Sequence, residues 1–219
     1  MSSGTKGVWL EDLTSAEART RFDRGDALVI PVASVGSHGT HLPLGTDGMI
    51  ARALGQRLIE RLPVVVAPIV SFDAQHLQAE TFRQMLYEIV DAFRADGVKR
   101  IALLDSRLST ERPLTGPSDV LLLNVADGAA TPVGSPAGSP AGTITGLPAG
   151  LIDRLRAGPT VEHETSMVLA LAPRSVRPTA SAGAGDPSHA TAFKGERLLA
   201  AWADVLVIIL TSEWPQLAA

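Results

Sequence analysis

Short apolar, β-branched runs alternate along the chain with longer amphipathic stretches. Ala27–Ala33 (ALVIPVA) reads as a buried strand, because a continuous apolar run of this length suits a strand covered on both faces. Asp47–Arg61 repeats apolar residues at Ile50, Leu54 and Leu58, the four-residue spacing of a helix face. Val64–Val70 is a second strand, with Pro68 near its end. Ala79–Ala95 is a helix that gathers Phe82, Met85, Leu86, Ile89 and Phe93 on one side and is closed by Gly97. Arg100–Asp105 is a third strand and Asp119–Ala126 a fourth. Glu162–Leu171 is a helix halted before Pro173, and Ala190–Leu210 is the last helix, with Trp202 on its core face.

Strands and helices in this alternation imply right-handed crossovers. The expected fold class is therefore α/β: a three-layer α/β/α domain with a mainly parallel central sheet. Ligands of such sheets bind outside the carboxyl ends of the strands, which directs attention to the segments after Ala33, Val70 and Leu104. Residues 1–219 are read as one domain. Residues 128–150 form the exception, because the repeat GSPAGSPAG at Gly134–Gly142 and the near absence of charge predict a flexible Gly/Pro/Ser-rich loop.

Composition narrows the chemistry. A net charge of −4 offers no electrostatic footprint for nucleic acid or for an anionic membrane. The absence of cysteine removes disulfides, zinc–thiolate sites and thiol nucleophiles together. The apolar run Ala203–Leu210 is much shorter than the ~20 residues of a membrane span, and no signal peptide is evident at Met1–Asp12. A cytoplasmic protein is expected.

The densest candidate chemistry is His38-Gly39-Thr40-His41-Leu42-Pro43-Leu44-Gly45-Thr46-Asp47, which follows the first strand and opens a helix. Two imidazoles and a carboxylate so close together can converge on one divalent metal. Alternatively, Asp47 caps the helix and His38 and His41 are loop residues with hydrogen-bonded rings. No phosphate-binding glycine loop and no nucleophile elbow is present.

The residues Pro31-Val32-Ala33-Ser34-Val35-Gly36-Ser37-His38-Gly39-Thr40-His41-Leu42-Pro43-Leu44-Gly45-Thr46-Asp47 closely resemble the signature of the creatininase (creatinine amidohydrolase) family. Glu164-Thr165-Ser166 with Leu169-Ala170-Leu171 and Pro173 resembles the family's E-T-S helix. Gly185-Asp186-Pro187, Ala190-Thr191 and Lys194-Gly195-Glu196 resemble a third family segment. The resemblance implies a creatininase-like sheet fold, a two-metal site and hydrolysis of a carbon–nitrogen bond. It also implies a homo-oligomer, commonly a hexamer.

The departures from that pattern carry as much information. Of five metal-ligand positions, His38 and Asp47 keep two. Gly36 stands for a glutamate, Arg107 for a histidine and Ser109 for the last ligand. An arginine is a permanent cation and repels a metal. Pro159 replaces a histidine that precedes the E-T-S helix.

The resulting expectation is a divergent amidohydrolase-like enzyme without the usual two-metal site. It would act on a small amide, cyclic amide or amine-bearing metabolite. His38 is expected as general base, Glu164 as acid, Asp47 opposite His38, and Arg107 as the group that holds a carboxylate or an oxyanion. Asp73, His76 and His163 are expected to contact substrate. No cofactor is expected, or else one Zn or Mn ion on His38 and Asp47. The rival reading is a non-catalytic pseudoenzyme that binds a metabolite or stabilises a partner subunit, such as an intact paralogue. In that reading His38 and Asp47 pair with Arg107. Trp9 and Trp214 are expected at a subunit boundary.

Overall fold

A computed structural model of the 219-residue chain describes residues 6–73, 77–107, 117, 120–124, 129–132, 160–177 and 187–218. Its strands are β1 (Val8–Trp9), β2 (Ala27–Val35), β3 (Val64–Val66), β4 (Val70–Asp73), β5 (Ile101–Asp105), β6 (Leu121–Asn124) and β7 (Ala129–Pro132). Its α-helices are α1 (Ser15–Arg24), α2 (Thr46–Arg61), α3 (Ala79–Ala95), α4 (Thr160–Leu171) and α5 (Ala192–Glu213).

The strands form one sheet in the order β1-β3-β2-β5-β6-β7, with β4 also paired to β2. Every described pairing is parallel except β6 with β7. The sheet is covered on both faces, and the period of the central strands shows why. On β2, Ala27 and Val29 join a core with Ile50, Leu54 and Leu58 of α2, Met167 of α4, and Leu199, Trp202 and Leu206 of α5. Leu28, Ile30 and Val32 point the other way, to Phe22 of α1 and to Leu86 and Val90 of α3. On β5, Ala102 and Leu104 divide from Ile101 and Leu103 in the same manner. A strand that is apolar on both faces needs a helix layer on each side, which is the expected three-layer α/β/α arrangement.

Several elements differ from expectation. The second strand is two strands. Val64–Val66 pairs with Ala27–Val29 and Val70–Asp73 with Val32–Val35, so the register shifts by one residue between them. Pro68 lies in the interruption, where it cannot donate a ladder hydrogen bond. Residues 128–150 were expected to lack strand, yet Ala129–Pro132 forms β7 antiparallel to β6. Four residues suffice for such an edge ladder whatever the composition that follows. The remainder of that loop, with the repeat, lies outside the described residues.

Helix α1 was not expected from hydrophobic period, because Phe22 is its only buried residue. Its signal is the capping box, in which Thr14 accepts from the Glu17 amide while the Glu17 carboxylate accepts from the Thr14 amide. Trp9 belongs to the core rather than a boundary, with its ring over Gly55 and its Nε1 donating to Gln56 Oε1 at 3.1 Å. Among the described residues no helix is long and apolar enough to cross a membrane.

Candidate active site

The carboxyl ends of β2 and β5 lie side by side, with Pro31 opposite Leu104 and Val32 opposite Asp105. From β2 the chain turns through residues 36–45 into α2. Gly36 N–H donates to the Leu44 carbonyl at 3.1 Å and closes this loop, and Gly39 takes a φ of 80°, a left-handed backbone that a glycine adopts without strain. Thr46 donates through its hydroxyl to the Pro43 carbonyl at 2.7 Å, which fixes the first turn of α2.

Asp47 does not cap that helix. The N-cap is Gly45, and Asp47, 2% exposed, turns toward the sheet edge. Its Oδ2 accepts a short hydrogen bond from the Ser34 hydroxyl, while its Oδ1 is buried and has no hydrogen-bond partner.

Helix α4 brings the third group. Glu164, Thr165 and Ser166 are all buried, and each reaches a different neighbour. Glu164 Oε2 lies 3.1 Å from His38 Nδ1. A carboxylate only accepts, so Nδ1 carries the hydrogen of this bond. Thr165 Oγ1 donates to the Val161 carbonyl at 2.6 Å and lies 2.8 Å from His41 Nε2. Since the one hydroxyl hydrogen is used, His41 must donate through Nε2.

Ser166 Oγ accepts from the Thr191 amide at 3.2 Å, at the start of α5. There α5 comes so close to α4 that a Cβ on Gly195 would lie 1.9 Å from the Ser166 carbonyl oxygen, so only glycine fits. The E-T-S triplet thus serves site, loop and helix contact at consecutive positions.

The result is a cluster of His38, Asp47 and Glu164 whose potential donor atoms all lie within 4.8 Å of one another. His38 Nε2 faces Asp47 Oδ1 at 3.8 Å, too far for a direct hydrogen bond. Burial works against the His38 imidazolium. The hydrogen bond and charge of Glu164, with the charge of Asp47, outweigh it and raise its pKa above the ordinary value. Burial raises the Asp47 carboxyl above the usual range, only partly offset by Ser34 and His38. Burial holds His41 below the ordinary imidazole value.

Arg107 is also buried, at 7% exposure, but it is engaged elsewhere. Its Nε and Nη2 donate to the two oxygens of Asp105 at 2.8 and 2.7 Å, and its guanidinium stands 5.6 Å from the Phe72 ring centroid. The pair with Asp105 outweighs burial and raises its pKa. The expected partnership with His38 or Asp47 is therefore replaced by a bidentate pair two residues away. The sequence signal for it was Asp105 itself, placed at the end of the third strand.

Asp73 ends β4 opposite Val35, at the same edge of the sheet. His76 and Ser109 lie outside the described residues. His163 is half-buried on α4 and is not part of the cluster, because adjacent helix residues point about 100° apart. His41, read in the sequence only as part of the first loop, proves to tie that loop to α4.

Together the fold and the site define an α/β protein with a carboxylate–imidazole centre at the carboxyl edge of a parallel sheet. The family model "Creatininase: Creatinine amidohydrolase" matches residues 11–110. No curated protein matches the sequence. Among solved structures, one described as creatinine amidohydrolase (creatininase) superposes with a TM-score of 0.70 at 19% identity, covering 96% of this chain and 99% of that one. A structure described as "Creatininase Mn" gives 0.70 at 19% identity over 95% and 99% of the two chains. A mutant creatininase of Zn-Zn type gives 0.69 at 18% identity with the same coverage. The family model thus matches the first part of the chain, and the fold is that of the creatininase structures over nearly its whole length.

Among the described residues, His38, Asp47 and Glu164 are the group close enough to hold an ion, and the donors for a second ion are not among them. Gly36 offers no donor, although a Cβ there would meet nothing within 4 Å, and Arg107 places a fixed cation at the end of β5.

Proposed function

We propose that the chain is an amidohydrolase-like enzyme that breaks a carbon–nitrogen bond in a small amide, cyclic amide or amine-bearing metabolite. It would do so through His38 rather than a metal pair. The observation that carries this reading is the placement of His38, with Nδ1 bound to Glu164 and Nε2 facing Asp47 Oδ1 across 3.8 Å. That gap suits a water molecule that hydrogen-bonds both atoms at ~2.8 Å.

His38 Nε2 takes a proton from this water as its oxygen adds to the amide carbon. Glu164 orients the ring and stabilises the imidazolium that forms. When the tetrahedral adduct collapses, the imidazolium returns the proton to the departing nitrogen. The carbon–nitrogen bond breaks, and a carboxylic acid and an amine leave. Glu164 is in this account an orienting group instead of the acid. The oxyanion role is not assigned to Arg107, whose Nε and Nη2 are held by Asp105.

A second reading draws on the same cluster. His38, Asp47 and Glu164 are close enough to hold one divalent ion, which would polarise the carbonyl. The experiment is a turnover screen over small amides with and without chelator, beside elemental analysis. We expect chelator-resistant turnover that falls about 10²–10⁴-fold in His38→Ala. One tightly bound equivalent, lost in Asp47→Ala, favours the single ion. Wild type as inert as His38→Ala removes the enzyme reading and leaves the non-catalytic one. The homo-oligomer, expected by resemblance, belongs to the same reading and is tested by light scattering.

A further inference from the structure

His41 is 1% exposed, and the hydrolysis proposed above makes no use of it. Its ring is matched on one side only. Nε2 donates to Thr165 Oγ1 at 2.8 Å, whereas Nδ1 is buried and has no hydrogen-bond partner. An imidazole with one nitrogen unmatched is a costly way to fill the interior, and a buried group kept at that cost calls for a reason.

The contacts of His41 supply one. Its carbonyl accepts from the Arg177 amide at 2.8 Å, in the chain that follows α4. The same residue therefore grips α4 by its flank, through Thr165, and the chain beyond the end of that helix. This grip runs beside the candidate centre. His38 and His41 share one loop, and the residues they meet, Glu164 and Thr165, are neighbours on α4. The two contacts are thus parallel rungs between the same two segments. A side-chain tip roughly 6 Å from a helix axis moves by about 1.5 Å when the helix turns by ~15°. Such a turn of α4 is enough to break the 3.1 Å bond between Glu164 Oε2 and His38 Nδ1.

We propose that His41 is a positioning residue, whose bond to Thr165 fixes the rotation of α4 so that Glu164 meets Nδ1 of His38 and leaves Nε2 toward Asp47. Its consequence for turnover rests on the hydrolase reading. His41 acts through Thr165 and Glu164 and transfers no proton itself.

The test uses the full chain with histidine labelled in its ring nitrogens. The proton on His38 Nδ1 is followed by proton–nitrogen NMR, where its bond to Glu164 slows exchange with water. His41→Leu and Thr165→Val each remove one end of the tie, and each should lose this signal. The double variant should be no worse than either single one, since both ends serve one bond. His41→Gln, whose amide nitrogen reaches the place of Nε2, and Thr165→Ser, which keeps the hydroxyl, should retain it. Ile59→Val removes a methylene from the core near the far end of α2, and should lower the denaturation midpoint with the signal intact. In a chain that releases ammonia from the panel of small amides, His41→Leu should lower kcat about 10²-fold with KM within about twofold, the loss that a misplacement of ~1 Å brings.

A signal absent from wild type, surviving in either His41→Leu or Thr165→Val, or lost in Ile59→Val would overturn the proposal. If His41→Leu does not fold, Thr165→Val decides alone. The expected signals in a chain inert toward the whole panel sustain the positioning and remove the hydrolase reading. Turnover in a chain whose His41 and Thr165 variants keep both the signal and kcat does the reverse.

Discussion

Two groups of buried charges lie at the same edge of the sheet and differ in how they are satisfied. At the end of β5, Asp105 and Arg107 form a closed pair, with two donors meeting two oxygens. At the end of β2, Asp47 and Glu164 flank one imidazole, and an oxygen of Asp47 is unpaired. The closed pair gains little from an added ligand, whereas the open cluster gains from one. The difference teaches that burial of charge alone does not mark a site. An unmatched oxygen among converging ionisable groups is the better pointer, because a water or a ligand there completes it.

The comparison breaks most sharply at the closed pair. Arg107→Met leaves the buried Asp105 carboxylate with a backbone amide but no countercharge, and should cost about 3–5 kcal/mol in chemical denaturation. Asp105→Asn combined with Arg107→Gln should recover most of that loss. If the single and double variants are equally unstable, the pair is not the unit described here.

At the open cluster the same kind of change should have the opposite sign. Asp47→Asn removes an under-compensated charge, and should raise stability at pH 8 by about 1 kcal/mol, a common size for stabilising substitutions. A loss instead would show that Asp47 has a partner in solution.

The smallest effect is spectroscopic. The His38 pKa is raised in the folded chain, so its imidazolium contributes stability fully below the unfolded value of about 6.5 and loses it as pH rises through the folded value. Glu164→Gln should lower the His38 midpoint in an NMR titration and flatten that decline of stability with pH. An unchanged midpoint would mean that Glu164 does not bind the ring.

Much of this was legible in the sequence for identifiable reasons. Runs such as Ala27–Ala33 and Arg100–Asp105 are apolar at successive positions, and a strand of that kind has both faces to bury, so two helix layers follow. The order of residues from Pro31 to Asp47 located the first loop and the resemblance. Helix α1 escaped because one buried residue gives no period, and β3 and β4 merged because the apolar run continues past the register shift with Pro68 as its one marker.

Within the site, the sequence determined the cast: His38 and Asp47 on one loop, Glu164 on a helix, a glycine at position 36 and an arginine at position 107. Only the tertiary structure decided the partnerships. Glu164 is 126 residues from His38 and meets it because Gly195 lets α5 press against α4, which aims that face of the helix at the β2 loop. Arg107 turns to Asp105, two residues away, since a bidentate bond to a buried neighbour outweighs a longer reach to Asp47. Residue identity sets which charges enter the interior, but pairing depends on distances of a few ångströms, and those are fixed by how the helices pack.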